Sequence, residues 1–410
     1  MRRRGPLLLL LVANTISALG TGMTLLAIPW FVLHVSGSAV QTGLVAAAET
    51  AGLVVASALA GPVVDRVGPR RTAVVADLVA AGAVSLIPVL HGLDLLRLWV
   101  IVVLALLLGL SRSPGDASRL TLVPLAAQRS GVALERATSA YEGSTRAARM
   151  LGGPVAGALI ALWSPPPVLL IDAASFAVCA AIIGLTTIAA HKQATGDPST
   201  SRFRRYVTDL REGLSYLRQD RLVSAFILMT MATNAIDASF ATVILPVYAD
   251  QVLHSTLQLG FLVSGFGLGA LLGTIAFAWA GPRLPRWPTF TVCFLLTGAP
   301  RYLALVAEPP FLVLLAAIAV TGVTFGALNP IMSTVEYERI PEHLRGRVLS
   351  VGAAGAMLGM PVGTLLIGSL VNAAGLHTAL VSVCVVYLVV TLSPLLFPVW
   401  RQMNRPPVTA

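Results

Sequence analysis

Long apolar runs recur along this chain with short polar breaks between them, and that alternation restricts its fold more than any other feature. The run from Leu7 to Leu33 holds no charged residue at all. About 20 apolar residues cross a ~30 Å hydrocarbon core as a helix, and no water is there to satisfy an open backbone. The pattern predicts an all-α membrane protein with twelve transmembrane helices, at roughly 6–33, 38–60, 72–90, 95–113, 138–163, 167–188, 222–248, 256–280, 287–306, 309–331, 347–371 and 376–399. Only 11% of residues are charged, less than half of the roughly 25% usual in soluble domains. The start, MRRRGPLLLLLV, has the basic end of a signal peptide. Its apolar run continues to about His34 without a small-residue cleavage site, so it reads as a retained first helix.

The formal net charge of +10 would suit a nucleic-acid surface, but the basic residues are parcelled into the breaks between apolar runs. One set comprises Arg2, Arg3 and Arg4, the 60s loop, the 112–136 and 189–221 connections, Arg283/Arg286, Arg339/Arg345/Arg347 and Arg401/Arg405. It collects 24 of the 28 Lys and Arg on one side of the membrane. Of the rest, Arg97 and Arg301 fall to outer loops, while Arg146 and Arg149 fall inside the fifth helix. This asymmetry predicts a multi-pass protein of the cell membrane with both termini cytoplasmic. Trp30, Trp99, Trp163, Trp279, Trp287 and Trp400 lie near predicted helix ends, as an interfacial aromatic belt requires. Cys179, Cys293 and Cys384 lie far apart inside apolar runs, without metal-ligand spacing or a disulfide framework, and read as small packing residues.

An internal repeat sets the organisation. Shifted by 217 residues, Pro29 falls on Pro246, Gln41 on Gln258, Gly43 on Gly260 and Pro124 on Pro341, and SALGTGMTLLAIPWFV lies over NAIDASFATVILPVYA. Two pseudo-symmetric six-helix halves, 1–188 and 222–410, follow. Between them, 189–221 opens with a turn-rich stretch, HKQATGDPSTS. It continues with Phe203, Val207, Leu210, Leu214 and Leu217 on one helical face. That helix fits either the inner membrane surface or a solvated linker.

The break GPVVDRVGPRR, Gly61 to Arg71, is the most distinctive of the short connections. Gly61 permits a close helix approach, Asp65 suits the positive N-terminal end of a neighbouring helix, and Arg66, Arg70 and Arg71 suit anionic head groups. A plain positive-inside turn is the competing reading. The spacing of Gly61, Asp65, Arg66, Gly68, Arg70 and Arg71 closely resembles the signature between helices 2 and 3 of the major facilitator superfamily, with Pro69 where the family usually has a basic residue. The stretches IDAASF (Asp172, Phe176), LREGLSYLR and EYERIPEHLRGRVLS resemble its macrolide and siderophore (enterobactin-type) exporters. In the fifth helix Gly153, Pro154 and Gly157 resemble the antiporter motif, although Arg149 and Ala158 replace usual glycines; ordinary small-residue packing explains them equally. A stripe of Gly265, Gly269 and Gly273 in the eighth helix is expected to face the fifth. The resemblance further implies a major facilitator fold, and that Asp65 meets the start of the eleventh helix near Arg347 to hold an inner gate.

Ionisable residues inside the spans carry the chemistry, because burying charge in hydrocarbon is costly. Glu49 and Asp237 fall near mid-helix and Arg149 near the middle of the fifth helix, with Glu142 and Arg146 placed to pair with each other. Glu49, Asp237 and Arg149 are proton-coupling candidates, with structural salt bridges as the alternative. Asp77 and Asp172 sit near helix ends and read as interfacial anchors. Arg112, in LGLSRSPG, resembles a proton-relay arginine of the family but stands close to the cytoplasmic end. Asn14, Ser17, Asn234 and Asn329, with Thr15, are cavity candidates or interhelical hydrogen bonders.

Neither His-Glu-x-x-His nor Gly-x-Ser-x-Gly occurs, so no hydrolase constellation is visible, and no phosphate-binding Walker pattern is present. The expectation is a non-enzymatic, cofactor-free, metal-free monomer. It would be a proton-coupled exporter of a small amphipathic compound, with proton-coupled uptake as the alternative. Its partners would be that compound, protons and the bilayer, and not nucleic acid.

Overall fold

In the computed structural model, which describes residues 5–186 and 211–404, each apolar run is helical. The first six helices are α1 (Gly5–Ser36), α2 (Ala39–Val67), α3 (Pro69–Gly92), α4 (Leu98–Ser130), α5 (Leu134–Trp163) and α6 (Pro165–Leu185). A linker helix covers 211–219, followed by α7 (Arg221–Leu253), α8 (Thr256–Ala280), α9 (Arg286–Ala307) and α10 (Phe311–Arg339). The last two lie in Arg345–Met357 and Gly359–Thr391. Gly375, at φ +80° and ψ 164°, leaves helical geometry there and separates α11 from α12. Among the described residues ten stretches are long and apolar enough to cross a membrane, the last of them containing both α11 and α12. Helix α5 falls outside that set because Glu135, Arg136, Glu142, Arg146 and Arg149 dilute its hydropathy; with it, and apart from the linker helix, the candidate spanning helices among the described residues number twelve.

Two expected loops are helix instead. Helix α2 runs through Pro62 to Val67, and α3 starts at Pro69, so GPVVDRVGPRR is two helix ends meeting at one residue. That residue is Gly68, at φ +91°, a conformation that a side chain would strain. Nothing lies within 4 Å of a Cβ built at Gly61, so the close approach expected there is absent among the described residues. Similarly α4 passes its predicted end by 17 residues, and the 112–136 connection shrinks to the turn before Leu134. Pro114, Gly115 and Pro124 read as breakers, but the charges around them find partners on neighbouring helices and the helix continues. At 33 residues α4 is about 50 Å long, well beyond the ~30 Å hydrocarbon core, so one end projects from it.

Packing divides the chain into two units. The first comprises Met1–Gln193, Ser239–Val263 and Thr364–Asn372; the second comprises Ala194–Ala238, Ser264–Gly363 and Ala373–Ala410. In the first, α2 packs on α4, α1 on α5 and α6, and α3 on α4 and α6. Leu10, Leu122, Tyr141 and Cys179 form a buried cluster there. In the second, α9 packs on α10, and Phe226, Phe290, Phe294, Leu328 and Trp400 are buried together. Trp400 stacks on Phe290 with ring centroids 5.5 Å apart. Trp30 is also buried, so neither it nor Trp400 serves the expected belt, whereas Trp99, Trp163 and Trp279 are exposed. Exposed Leu, Val and Ile along the helices suit a bilayer solvent.

The described part of the linker helix settles onto the second unit rather than standing alone. Tyr216 donates to the Arg339 carbonyl at 3.1 Å, Glu212 pairs with Arg347, and Leu217 packs beside Val223, Ile340 and Val348. Burial, with Asp220 beside it, pushes the Tyr216 hydroxyl up to about 12. Expectations for Arg2, Arg3, Arg4, the turn-rich 191–201 stretch, Phe203, Val207, Leu210 and Arg405 concern residues outside those described.

Candidate functional site

The longest helix of the first unit carries a row of alternating charges. Arg112, Asp116 and Arg119 are spaced i, i+4, i+7 and so share one face of α4. Gly109 brings the backbone of α4 against Glu49, and Gly52 of α2 lies against the Leu106 carbonyl, so the two helices approach closely. Three residues beyond Gly109, Arg112 then meets Glu49 with Nη1 2.6 Å from Oε1, both side chains largely buried; its Nη2 donates to the Thr21 carbonyl at 3.3 Å. Arg119 bridges two acids, Asp77 of α3 at 2.7 Å and Asp116 at 2.6 Å. Asp116 is shared with Arg149 of α5 at 3.0 Å, and both of these side chains are exposed. Ser17 of α1 donates to Asp77 at 3.5 Å. Asp172 of α6 is fully buried and accepts from the hydroxyls of Thr24 and Ser175.

The second unit holds one deep pair. Arg301 is 1% exposed and binds the carboxylate of Asp237 on α7. Its guanidinium carbon lies 4.9 Å from the Tyr302 ring centroid and 5.2 Å from that of Tyr387, distances at which aromatic faces attract a cation. Gly298, where α9 is interrupted, has the Tyr387 ring against it in space that a Cβ would fill. Arg301 is therefore no outer-loop residue.

The structure regroups the residues singled out in the sequence. Glu49 and Asp237 are ion-paired, with Arg112 and Arg301, and Arg149 meets Asp116. Glu142 and Arg146 form no ion pair among the described residues. Asp77 and Asp172 are buried and bonded rather than anchored at an interface. Asn14 donates to Thr145 at 2.6 Å and Asn234 to the Ala356 carbonyl at 3.0 Å, while Thr15 bonds back to Leu11 in its own helix. Asn329 is exposed and lines a cavity of the second unit. Asp65 and Arg66 are exposed in the last turn of α2, Arg71 is exposed, and Arg70 donates to the carbonyls of Ile183 and Gly184. Arg347 is engaged by Glu212.

Glycines mark the closest seams. Gly153, Pro154 and Gly157 of α5 take Thr256 and Gly260, the start of α8, against their backbone, and Thr256 donates to the Gly157 carbonyl at 3.0 Å. Gly43 of α2 and Gly368 of α11 face each other likewise within the first unit, a Cβ at Gly43 falling 2.6 Å from the Thr364 carbonyl. The Gly265, Gly269 and Gly273 stripe faces Leu315, Ala319 and Val323 of α10, not α5, because Gly322 and Gly326 make α10 the complementary surface.

A sequence model of the Major Facilitator Superfamily matches residues 10–255 and 231–409. The chain belongs to the Major Facilitator Superfamily. Among its relatives, the multidrug efflux pump Tap of Mycobacterium tuberculosis is 31% identical over 408 residues, covering 98% of this chain and 96% of that protein. Tap of Mycolicibacterium fortuitum is 30% identical, with 98% of each chain covered. Macrolide efflux protein A of Streptococcus pyogenes is 20% identical, with 86% of each covered. A solved structure of the nucleoside transporter NupG superposes with a TM-score of 0.78 at 13% identity, over 96% of this chain and 98% of that one. At that identity the likeness concerns the fold alone. As a Major Facilitator Superfamily member the chain is a multi-pass membrane protein. Residues Asp65 to Arg71 occupy a helix–helix corner.

Proposed function

We propose that this chain is a proton-coupled exporter of small amphipathic organic compounds, cationic or neutral, in a cell membrane with both termini cytoplasmic. Near-full-length similarity to multidrug efflux pumps carries the reading. The basic-residue asymmetry supports the orientation. We take 1–188 and 222–410 as the two halves, joined by 189–221, acting as a monomer without cofactor or metal.

Glu49 and Asp237 are the proposed proton carriers. Each carboxylate holds a guanidinium in a setting where the bare charge is costly, so a proton on the acid removes the attraction that fixes the pair. Arg149 joins the relay through Asp116, which also contacts Arg119 and so offers two guanidiniums one acid. The close seams of Gly153, Pro154 and Gly157 with α8 are proposed to part during the transport cycle. Asp65 is proposed as a gating residue. It is an exposed carboxylate at a helix C-terminal turn, where the helix dipole disfavours it, so a conformation giving it a donor is favoured. Asp65→Asn is expected to slow transport severalfold at unchanged membrane insertion.

The deciding experiment uses inside-out vesicles carrying the protein and a lipophilic cationic dye such as ethidium. Export predicts dye accumulation that needs an acidic lumen and collapses with a protonophore. Accumulation only in right-side-out vesicles would establish uptake and overturn the reading.

A further inference from the structure

We propose that the second unit carries a subsite for the cationic head of a small amphipathic ligand, with Glu336 of α10 as its counter-ion. The ligand class rests on the export reading; the subsite itself rests on geometry. A cavity of about 280 Å³ lies among α7, α10 and α11. Its walls are largely apolar, with Phe226, Ile227, Met332 and Leu349 among them. Asn329, Ser333 and Glu336, spaced i, i+4, i+7, put one polar stripe of α10 along the cavity. Glu336 is its one ionisable lining residue.

The surrounding charges make this carboxylate unusual. Arg286 pairs with Glu338, Arg339 with Asp220 and Arg347 with Glu212, while Arg345 donates to the Ile340 carbonyl at 3.2 Å. Four guanidiniums near this end of the unit are thus committed elsewhere. The half-buried carboxylate of Glu336 has no hydrogen bond or ion pair among the described residues. An acid held against apolar walls without a partner costs free energy that a ligand cation would recover.

The chemistry narrows the occupant. A single carboxylate beside one amide and two hydroxyls falls short of the six or more oxygens a calcium ion takes, and the other lining side chains are apolar. An anion would meet Glu336 directly. An organic ammonium matches both the charge and the apolar walls. The volume lies just below the usual range for whole-ligand pockets, so it suits the head group of a larger amphiphile.

The test compares phenyltrimethylammonium with tert-butylbenzene, which has the same shape without the charge, for equilibrium binding to purified full-length protein. The wild type is expected to bind the cation at least tenfold more tightly than the hydrocarbon. Glu336→Gln should cut cation affinity about tenfold and leave hydrocarbon affinity within twofold, while Glu336→Asp keeps the preference. Unchanged cation affinity in Glu336→Gln, or equal loss of both probes, would overturn the subsite. Binding is measured without transport, so a wild type that exports no dye from vesicles would remove the export reading while this comparison still decides the subsite.

Discussion

At Arg301, enclosure by Asp237, Tyr302 and Tyr387 leaves a cation with no route to water. Removing one partner of a buried pair costs about 3–5 kcal/mol because the other charge stays behind. Arg301→Leu should therefore lower stability by that order, and adding Asp237→Asn should restore part of it in a double-mutant cycle by chemical denaturation. Additive losses would mean that the two side chains are not coupled. For function, Glu49→Gln and Asp237→Asn should each abolish proton-driven transport per folded, membrane-inserted molecule, while the guanidinium left behind also lowers stability. If both transport at the wild-type rate, the pairs are structural only. The 217-residue repeat also gains a physical meaning at this scale. It places Asp237 over Gly20, and a Cβ at Gly20 would strike the Asp172 carboxylate and Ser175. One half thus presents an acid from its first helix, while the other leaves a gap that an acid from α6 fills.

Among the elements, the repeat pairs Gly43 with Gly260, and both prove to be seam residues, one against α11 and the other against α5. A side chain at such a seam must push backbones apart, and overpacking of this kind costs about 1–3 kcal/mol. Gly157→Val should loosen the α5–α8 seam, raising severalfold the thiol-labelling rate of a cysteine at Leu259, which is buried in the wild type. An unchanged rate would show that the seam adjusts without opening. The linker helix makes a separate pH prediction. The Tyr216 hydroxyl has its pKa raised to about 12, above the usual value near 10, so its folded-state contribution is complete below pH 10 and is lost as pH rises through 12. Tyr216→Phe should flatten that alkaline loss in hydrogen-exchange protection of the 211–219 helix; an identical alkaline profile would exclude this tyrosine.

For the whole molecule, the topology prediction is the broadest. In a cysteine-free background, a cysteine at Arg283 should react with impermeant thiol reagent only from the cytoplasm, and cysteines at Gly92 or Ser255 only from outside. Labelling of Arg283 from outside would reverse the orientation. Helix number and the two-fold repeat were legible in the sequence because hydrophobic length and backbone satisfaction in a bilayer leave few choices. The family was legible from Gly61 to Arg71, whose spacing survives even though the stretch is a helix corner and not a loop. Glu49 and Asp237 could be chosen as mid-helix acids from position alone, but their partners could not. SRSPGDASR looked like a loop because Pro114 and Gly115 oppose helix locally. Only packing against α2, α3 and α5 makes continuous helix the arrangement that neutralises Arg112, Asp116 and Arg119. Likewise the Gly265 stripe specifies a close neighbour without naming it, and the matching glycines of α10 decide which helix that is. Sequence determined which segments enter the membrane and that Glu49 and Asp237 fall within them, since both follow from hydrophobic length. Tertiary structure alone decided who pairs with whom, because partners 33 to 148 residues apart are selected by where helices touch.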